Sequence, residues 1–156
     1  MPNLLPKPLT LVIISLSSPL LLGVYKEDIL IHKESSEAKT SEILLLLIMQ
    51  ILGKYEINRI VYTRGPGSYM AIKLTYIMLK TIEITRDIPC YGCSGFAFNA
   101  GKPIKAIGNL YFFKEKETIM TKKYEQPEKA SFVLPQSISN LVLDKESTPE
   151  YMLPAV

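Results

Sequence analysis

The stretch ILLLLIMQIL, residues 43–52, sets nine apolar side chains in ten positions, and few folds accommodate such a run. It is about half the ~20 residues that a helix needs to cross a bilayer, so protein must cover it. Read as a helix, at about 100° per residue, it carries two apolar stripes. Leu45, Ile48 and Leu52 share one face, and Ile43, Leu47 and Ile51 share another, with Leu44 between them. One stripe suffices to cover a sheet. The second faces water unless something packs on it, and large exposed apolar patches mark interfaces. A second helical stretch, residues 68–85, repeats the feature. Ala71, Thr75, Met78 and Ile82 form one row; Met70, Leu74 and Ile77 form another, at the i, i+4, i+7 spacing of a packing seam. Lys73 and Lys80 lie together on a polar side. Either the second half of the chain folds over these helices or another polypeptide does. That half is short and polar, which favours another polypeptide.

Composition narrows the class. The 21 Leu and 18 Ile among 156 residues are enough for one domain, or one domain plus a fragment. A charged fraction of 21% and a mean hydropathy of +0.16 exclude a disordered chain. The net charge of +3 is too small and too scattered to imply a nucleic-acid surface by itself. Two cysteines exclude a disulfide scaffold. One histidine and no tryptophan leave little material for a metal site or a Ser-His-Asp relay. Residues 9–25 are apolar but broken by Ser15, Ser17, Ser18 and Pro19, and only Lys7 charges the region before them. A secretory signal is therefore weak, and a cytoplasmic protein with no membrane segment is expected.

Along the chain, residues 10–15, 20–25 and 29–33 read as three strands joined by tight turns, an antiparallel meander. Thr40 or Ser41 is expected to cap a helix running to Leu52 and closed by Gly53. Residues 58–63 read as a strand, 68–85 as a helix, 88–92 as a strand and 94–100 as a short helix. The order βββαβαβα, with right-handed crossovers, predicts an α/β fold: a five-stranded mixed sheet covered by helices, as in the ribonuclease-H-like fold. Residues 1–101 are expected to form that domain. Residues 102–156 would be a truncated, β-rich second part: a charged hairpin from 105–113 and 118–124, a strand at 131–134, a helical turn at 137–143 and an extended tail at 153–156.

The sharpest motif is Arg64-Gly65-Pro66-Gly67-Ser68-Tyr69, between a strand and a helix. Ser68 can cap that helix, and a helix N-terminus offers free N–H groups to an anion. Neither P-loop nor dinucleotide spacing is present, so a tight turn before a capped helix competes with a phosphate cradle. Cys90-Tyr91-Gly92-Cys93 has CxxC spacing, yet a redox pair belongs at a helix start and a zinc site needs two more ligands. His32 alternates within a strand and reads as a surface residue. The end of the first strand, where an enzyme of this fold places an acidic metal ligand, is Ser15, which cannot supply the anionic oxygen that Mg²⁺ prefers.

Residues 65–73 (GPGSYMAIK), with Lys80 following, resemble the GPGSFTGLR…K signature of the TsaB family, the bacterial accessory proteins of tRNA threonylcarbamoyladenosine synthesis in the actin-like ATPase superfamily. Thr40-Ser41 and the leucine run are similar to that family's preceding helix, Gly92–Phe96 to its Gly-Val-Ser-Ser-Leu segment, and 149–153 (PEYML) to its Pro-x-Tyr-Leu. Departures are Ser15-Leu16-Ser17 for Asp-Thr-Ser, Met70 and Ala71 for Thr and Gly, and Lys73 for Arg. The resemblance implies an actin-like fold and a scaffold, not an enzyme, that binds and stabilises TsaD. Its interface residues would be Ile43, Leu44, Leu47, Ile51, Met70, Leu74 and Ile77, and its motif loop Gly65, Pro66, Gly67, Ser68, Tyr69 and Lys73. It further implies TsaE as an additional partner, a homodimer when alone, tRNA met only indirectly, no metal and no cofactor of its own, with ATP and Mg²⁺ handled only in the complex. The alternative is a small phosphate- or nucleotide-binding enzyme using the GPGS loop.

Overall fold

The computed structural model describes residues 8–16, 18–67, 69–106, 109–116, 118–123, 132–144 and 148–150. Three strands form the meander: β1 (Leu9–Ile14), β2 (Leu20–Lys26) and β3 (Ile29–Ser36). Helix α1 (Thr40–Lys54), β4 (Arg59–Gly65), α2 (Tyr69–Arg86) and β5 (Cys90–Ser94) follow. The sheet order is β3-β2-β1-β4-β5, with β1–β2 and β2–β3 antiparallel and β1–β4 and β4–β5 parallel. This is the expected five-stranded mixed sheet. The central strand β1 is almost continuously buried, as a strand covered on both faces must be. The edge strand β3 alternates exposed and half-buried residues. Glu27 and Asp28, both at positive φ, make the tight β2–β3 turn.

One face of the sheet packs on the helices. Leu11, Ile13, Leu22, Ile60 and Tyr62 meet Leu44, Ile48 and Ile51 of α1 and Leu79 and Ile82 of α2. The other face, through Val12, Ile14, Tyr25, Val61 and Cys93, is covered by Phe98, Leu134 and Ile138. Residues 132–144 thus form a strap across that second face. It is tied by Val133 N–H donating to Phe98 O (2.8 Å), Leu30 N–H to Gln136 O (2.9 Å) and the Tyr25 hydroxyl to Pro135 O (2.6 Å). A second sheet, β6 (Ile104–Lys105), β7 (Leu110–Glu115) and β8 (Thr118–Lys123), is antiparallel throughout. It joins the first through a third apolar cluster of Leu16, Ile72, Phe96, Ile104 and Phe112.

Several boundaries differ from expectation. Helix α1 has Lys39, not Thr40 or Ser41, as its N-cap, with no side-chain capping bond; its first N–H groups turn back to the Lys39 carbonyl. It passes through Gly53 to Lys54 and closes where Tyr55 N–H donates to Ile51 O (2.9 Å). Strand β5 begins two residues late, after Pro89, which has no N–H to give the ladder. The short helix at 94–100 is one 3-10 turn, Gly95–Phe98, capped by Ser94 Oγ accepting from Phe96 N–H (3.3 Å). Residues 132–134 belong to the strap and pair with no strand; at 137–143, Ser137 forms a single bridge to Ile29 and a turn follows. Ser131 and the tail at 153–156 lie outside the described residues.

Candidate functional site

Helix α1 turns Leu44, Ile48 and Ile51 inward and presents Leu45, Leu46 and Met49 to solvent. Ile43 and Leu47 are half-buried against the core. Two expected interface residues are therefore misplaced: Leu44 (0% exposed) and Ile51 (3%) are core. The run is apolar almost all round, so its periodicity does not say which arc meets the sheet. The outward arc, Leu45, Leu46 and Met49, was missed for that reason. On α2 the inward residues are Ile72, Thr75, Leu79 and Ile82. Met70 (68%) and Ile77 (51%) are exposed, and Leu74 is half-buried. Ile84, 79% exposed, extends the row by the same seven-residue step that separates Met70 from Ile77, a signal readable in the sequence. Tyr69 and Tyr76 carry Lys73 and Lys80 over their rings, at 5.8 and 5.9 Å from the centroids. The strap lies on the opposite face of the sheet, and the second sheet meets α2 at Ile72, in its first turn, while Met70, Ile77 and Ile84 stay exposed.

The motif loop sits at the C-terminal end of β4. Gly65 has φ +135°, and a Cβ there would meet the Glu150 carbonyl at 2.7 Å, so the position requires glycine. Leu16 fills the space beside the loop. Its side chain lies 3.0 Å from where a Gly67 Cβ would be and closer still to that of Gly95. Leu16 is itself 4% exposed and packs with Phe96, Ile104 and Phe112. Ser15, in the place of an acidic ligand, bonds Thr75 Oγ1 through its hydroxyl (2.9 Å), and its N–H donates to Thr63 Oγ1 (3.4 Å). The described residues at this end of β1 are thus a buried hydroxyl pair and a buried leucine. Ser68 lies outside the described residues, so the expected cap is not described. Among the described residues no three His, Cys, Asp or Glu side chains cluster as metal ligands.

The other side of the loop is fastened to the end of the strap. Arg64 Nε donates to Thr148 O (2.7 Å), its Nη1 to Asp144 Oδ2 (3.1 Å), and Glu150 Oε2 lies 3.8 Å away. Glu150 N–H donates to Arg64 O (2.7 Å) and Asp144 N–H to Gly92 O (2.9 Å). Glu150 of the expected C-terminal motif thus packs on the GPG loop at Gly65; Tyr151 onward lies outside the described residues. The two cysteines are on opposite faces of β5: Cys90 packs on the helix side and Cys93 in the strap side. Burial pushes both thiols up to about 12, so CxxC is not a redox pair here. His32 bonds Glu34 (2.9 Å) at the rim of an open cleft between β3 and α1.

No protein-family model matches the chain, and no curated protein matches it in sequence. Among solved structures it is similar to YeaZ from Pseudomonas aeruginosa, with a TM-score of 0.61 and 11% identity, covering 80% of this chain and 74% of that one. It is also similar to a crystal structure of an uncharacterised protein with similarity to peptidase YEAZ from Pseudomonas aeruginosa, with a TM-score of 0.57 and 13% identity. That match covers 75% of this chain and 64% of the other. The likeness is one of fold: the mixed five-stranded sheet and its helices are those of the YeaZ-like, actin-like fold. Among the described residues, no helix is long and apolar enough to cross a membrane.

Proposed function

We propose that this chain is a TsaB-like, non-catalytic accessory subunit of tRNA threonylcarbamoyladenosine synthesis, docking on TsaD through α1 and α2. One observation carries the reading: both helices already cover the sheet with one side and still present Leu45, Leu46, Met49, Met70, Ile77 and Ile84 to solvent. Two apolar helices side by side pack on two others as a four-helix interface. The YeaZ fold and the GPGSY motif support the assignment, since YeaZ is the TsaB protein. Binding would stabilise the active conformation of TsaD, by preferring it over its other states. Any ATP and Mg²⁺ would be held in the complex, because Leu16 fills the place beside this chain's own loop. A homodimer would use the same helices when TsaD is lacking, TsaE would join the complex, and the setting is the cytoplasm.

The test is co-purification with TsaD. Leu46→Asp and Ile77→Asp change exposed residues and leave the core alone; each is expected to weaken TsaD capture by about 100-fold, the size of a central interface anchor. Undiminished capture by both variants, with the wild-type thermal midpoint, overturns the assignment. Leu47 and Leu74 are poorer probes, being half-buried.

A further inference from the structure

The edge strand β3 changes hands along its length. At its start the strap pairs with it: Leu30 N–H donates to Gln136 O (2.9 Å), Ile138 N–H donates to Asp28 O (2.9 Å), and Ile29 and Ser137 form an antiparallel bridge. The β2–β3 register then shifts at Val24 and Tyr25. Leu30 packs in the strap-side cluster, whereas His32 and Glu34, beyond the shift, line a cleft against α1. Among the described residues, no backbone bond reaches the outer edge of residues 31–36. The cleft holds about 290 Å³. Leu47 and Ile51 give it an apolar wall, and Gln50 and Lys54 add polar groups. Glu34 is engaged by His32 (2.9 Å), whose ring lies 5.9 Å from that of Tyr55. Lys54 is exposed and has no ion-pair partner among the described residues.

An edge strand turns every second N–H and C=O away from its neighbour, in a row that an extended peptide matches and a small molecule does not. A second copy of this chain fits the edge poorly. A two-fold axis centred on Lys33 or on Glu34 sets like charges opposite one another. We propose that residues 31–36 of β3 accept an extended peptide of another protein, in the antiparallel sense already used by the strap, with every second side chain in the cleft. Direction then fixes its chemistry. Helix α1 returns past β3, so Lys54 comes just before the Tyr55 that meets His32, at the start of the open edge. A peptide antiparallel to β3 brings its C-terminal end to that place. Side chains two apart share a face. The peptide therefore carries apolar residues for Leu47 and Ile51 and, two positions further on, an acidic one for Lys54. The exposed arc of Leu45, Leu46 and Met49 is not part of this cleft, and the proposal does not depend on what docks there.

The probe is fluorescein-labelled Thr-Val-Thr-Leu-Thr-Asp, titrated with the full chain and followed by anisotropy. Its Val, Leu and Asp side chains fall on one face. Replacing its Asp by Lys is expected to weaken binding about fivefold, the size of an exposed charge pair. Lys54→Glu is expected to reverse that order of peptides. Lys54→Gln is expected to erase it, and carries the test should the Glu variant not fold. Methylating one alternate set of peptide amides is expected to cost at least about tenfold and methylating the other set less than about twofold, since only one set faces β3. An order of peptides that both Lys54 variants leave unchanged overturns the proposal. Equal tolerance of the two methylated sets overturns it as well, as does a lack of binding at millimolar peptide. Exchange protection of the β3 amides that rises with protein concentration would seat a second copy on the edge and overturn the peptide.

Discussion

The two faces of the main sheet are covered in opposite ways. On one, α1 and α2 lay down apolar side chains and keep more on their outer side. On the other, the strap lays down Leu134 and Ile138 and ties its backbone to Phe98, Leu30, Tyr25, Gly92 and Arg64. A helix satisfies its own backbone, so its outer face is free to be greasy. An irregular strap must find partners for its buried N–H and C=O groups, and it leaves Val133 and Val142 exposed on its outer side. Among the described residues, the strap is spent on the face that the helices do not reach. Leu45, Leu46, Met49, Met70, Ile77 and Ile84 stay exposed on the helix exterior.

Matched charge insertions give the largest contrast. Leu134 is 8% exposed and lies 3.0 Å from the position of a Gly23 Cβ, a knob over a glycine. Leu134→Asp buries an unpaired carboxylate and is expected to cost about 3 kcal/mol or more. For a chain of this size, that lowers the thermal midpoint by about 6–12 °C. Leu46→Asp, at 53% exposure, is expected to change stability by no more than about 0.5 kcal/mol. Calorimetry of both variants decides it. Equal losses would mean that the helix exterior is covered within the monomer.

The same contrast explains what could be read beforehand. The meander and the two αβ units follow from local rules: apolar runs for β1 and β2, and alternation in the edge strand β3. They also rest on a Gly-Pro-Gly break between β4 and α2. The strap does not follow, because Leu134 and Ile138 sit among Pro135, Gln136 and Ser137 with no period of their own, and their partners are about 100 residues away in sequence (Tyr25 and Pro135 are 110 apart). The candidate site was half legible. Met70 and Ile77 lie where the seven-residue spacing put them, because α2 has polar residues to mark its outer side. Leu44 and Ile51 went astray because α1 offers almost no polar residue to orient it. The filled loop was hidden too: Leu16 was read as a departure from a motif, while its packing against Gly95 is a matter of tertiary contact.

A smaller effect is expected at the fastening of the strap. Arg64, with a side chain 13% exposed, serves Thr148 and Asp144 together. Arg64→Ala strands Asp144 beside a half-buried Glu150 and is expected to cost about 1–3 kcal/mol. The loss should be local, with hydrogen exchange at the Asp144 and Glu150 amides at least about tenfold faster and exchange in β1 changed far less. Uniform acceleration through β1 would instead make the strap part of one cooperative unit with the sheet.

The smallest effect concerns the charge on Glu150. Burial raises its pKa above the ordinary 4.5, the Arg64 guanidinium opposes that, Asp144 adds to it, and Lys114 opposes it least. The folded chain therefore holds this proton more tightly than the unfolded one does. The contribution to stability is fully present below pH 4.5 and is lost as pH rises through the raised folded value. Wild type should then gain stability relative to Glu150→Gln as the pH is lowered from 7 toward 4, in urea titrations of both chains. A difference that shrinks as the pH falls would mean that the carboxylate is held charged by Arg64, at 3.8 Å, more strongly than burial opposes it. The expected sign puts the fastening elsewhere: in the 2.7 Å bond from Arg64 to the Thr148 carbonyl and the 3.1 Å bond to Asp144. The strap would then stay closed over the loop whether or not Glu150 carries its charge.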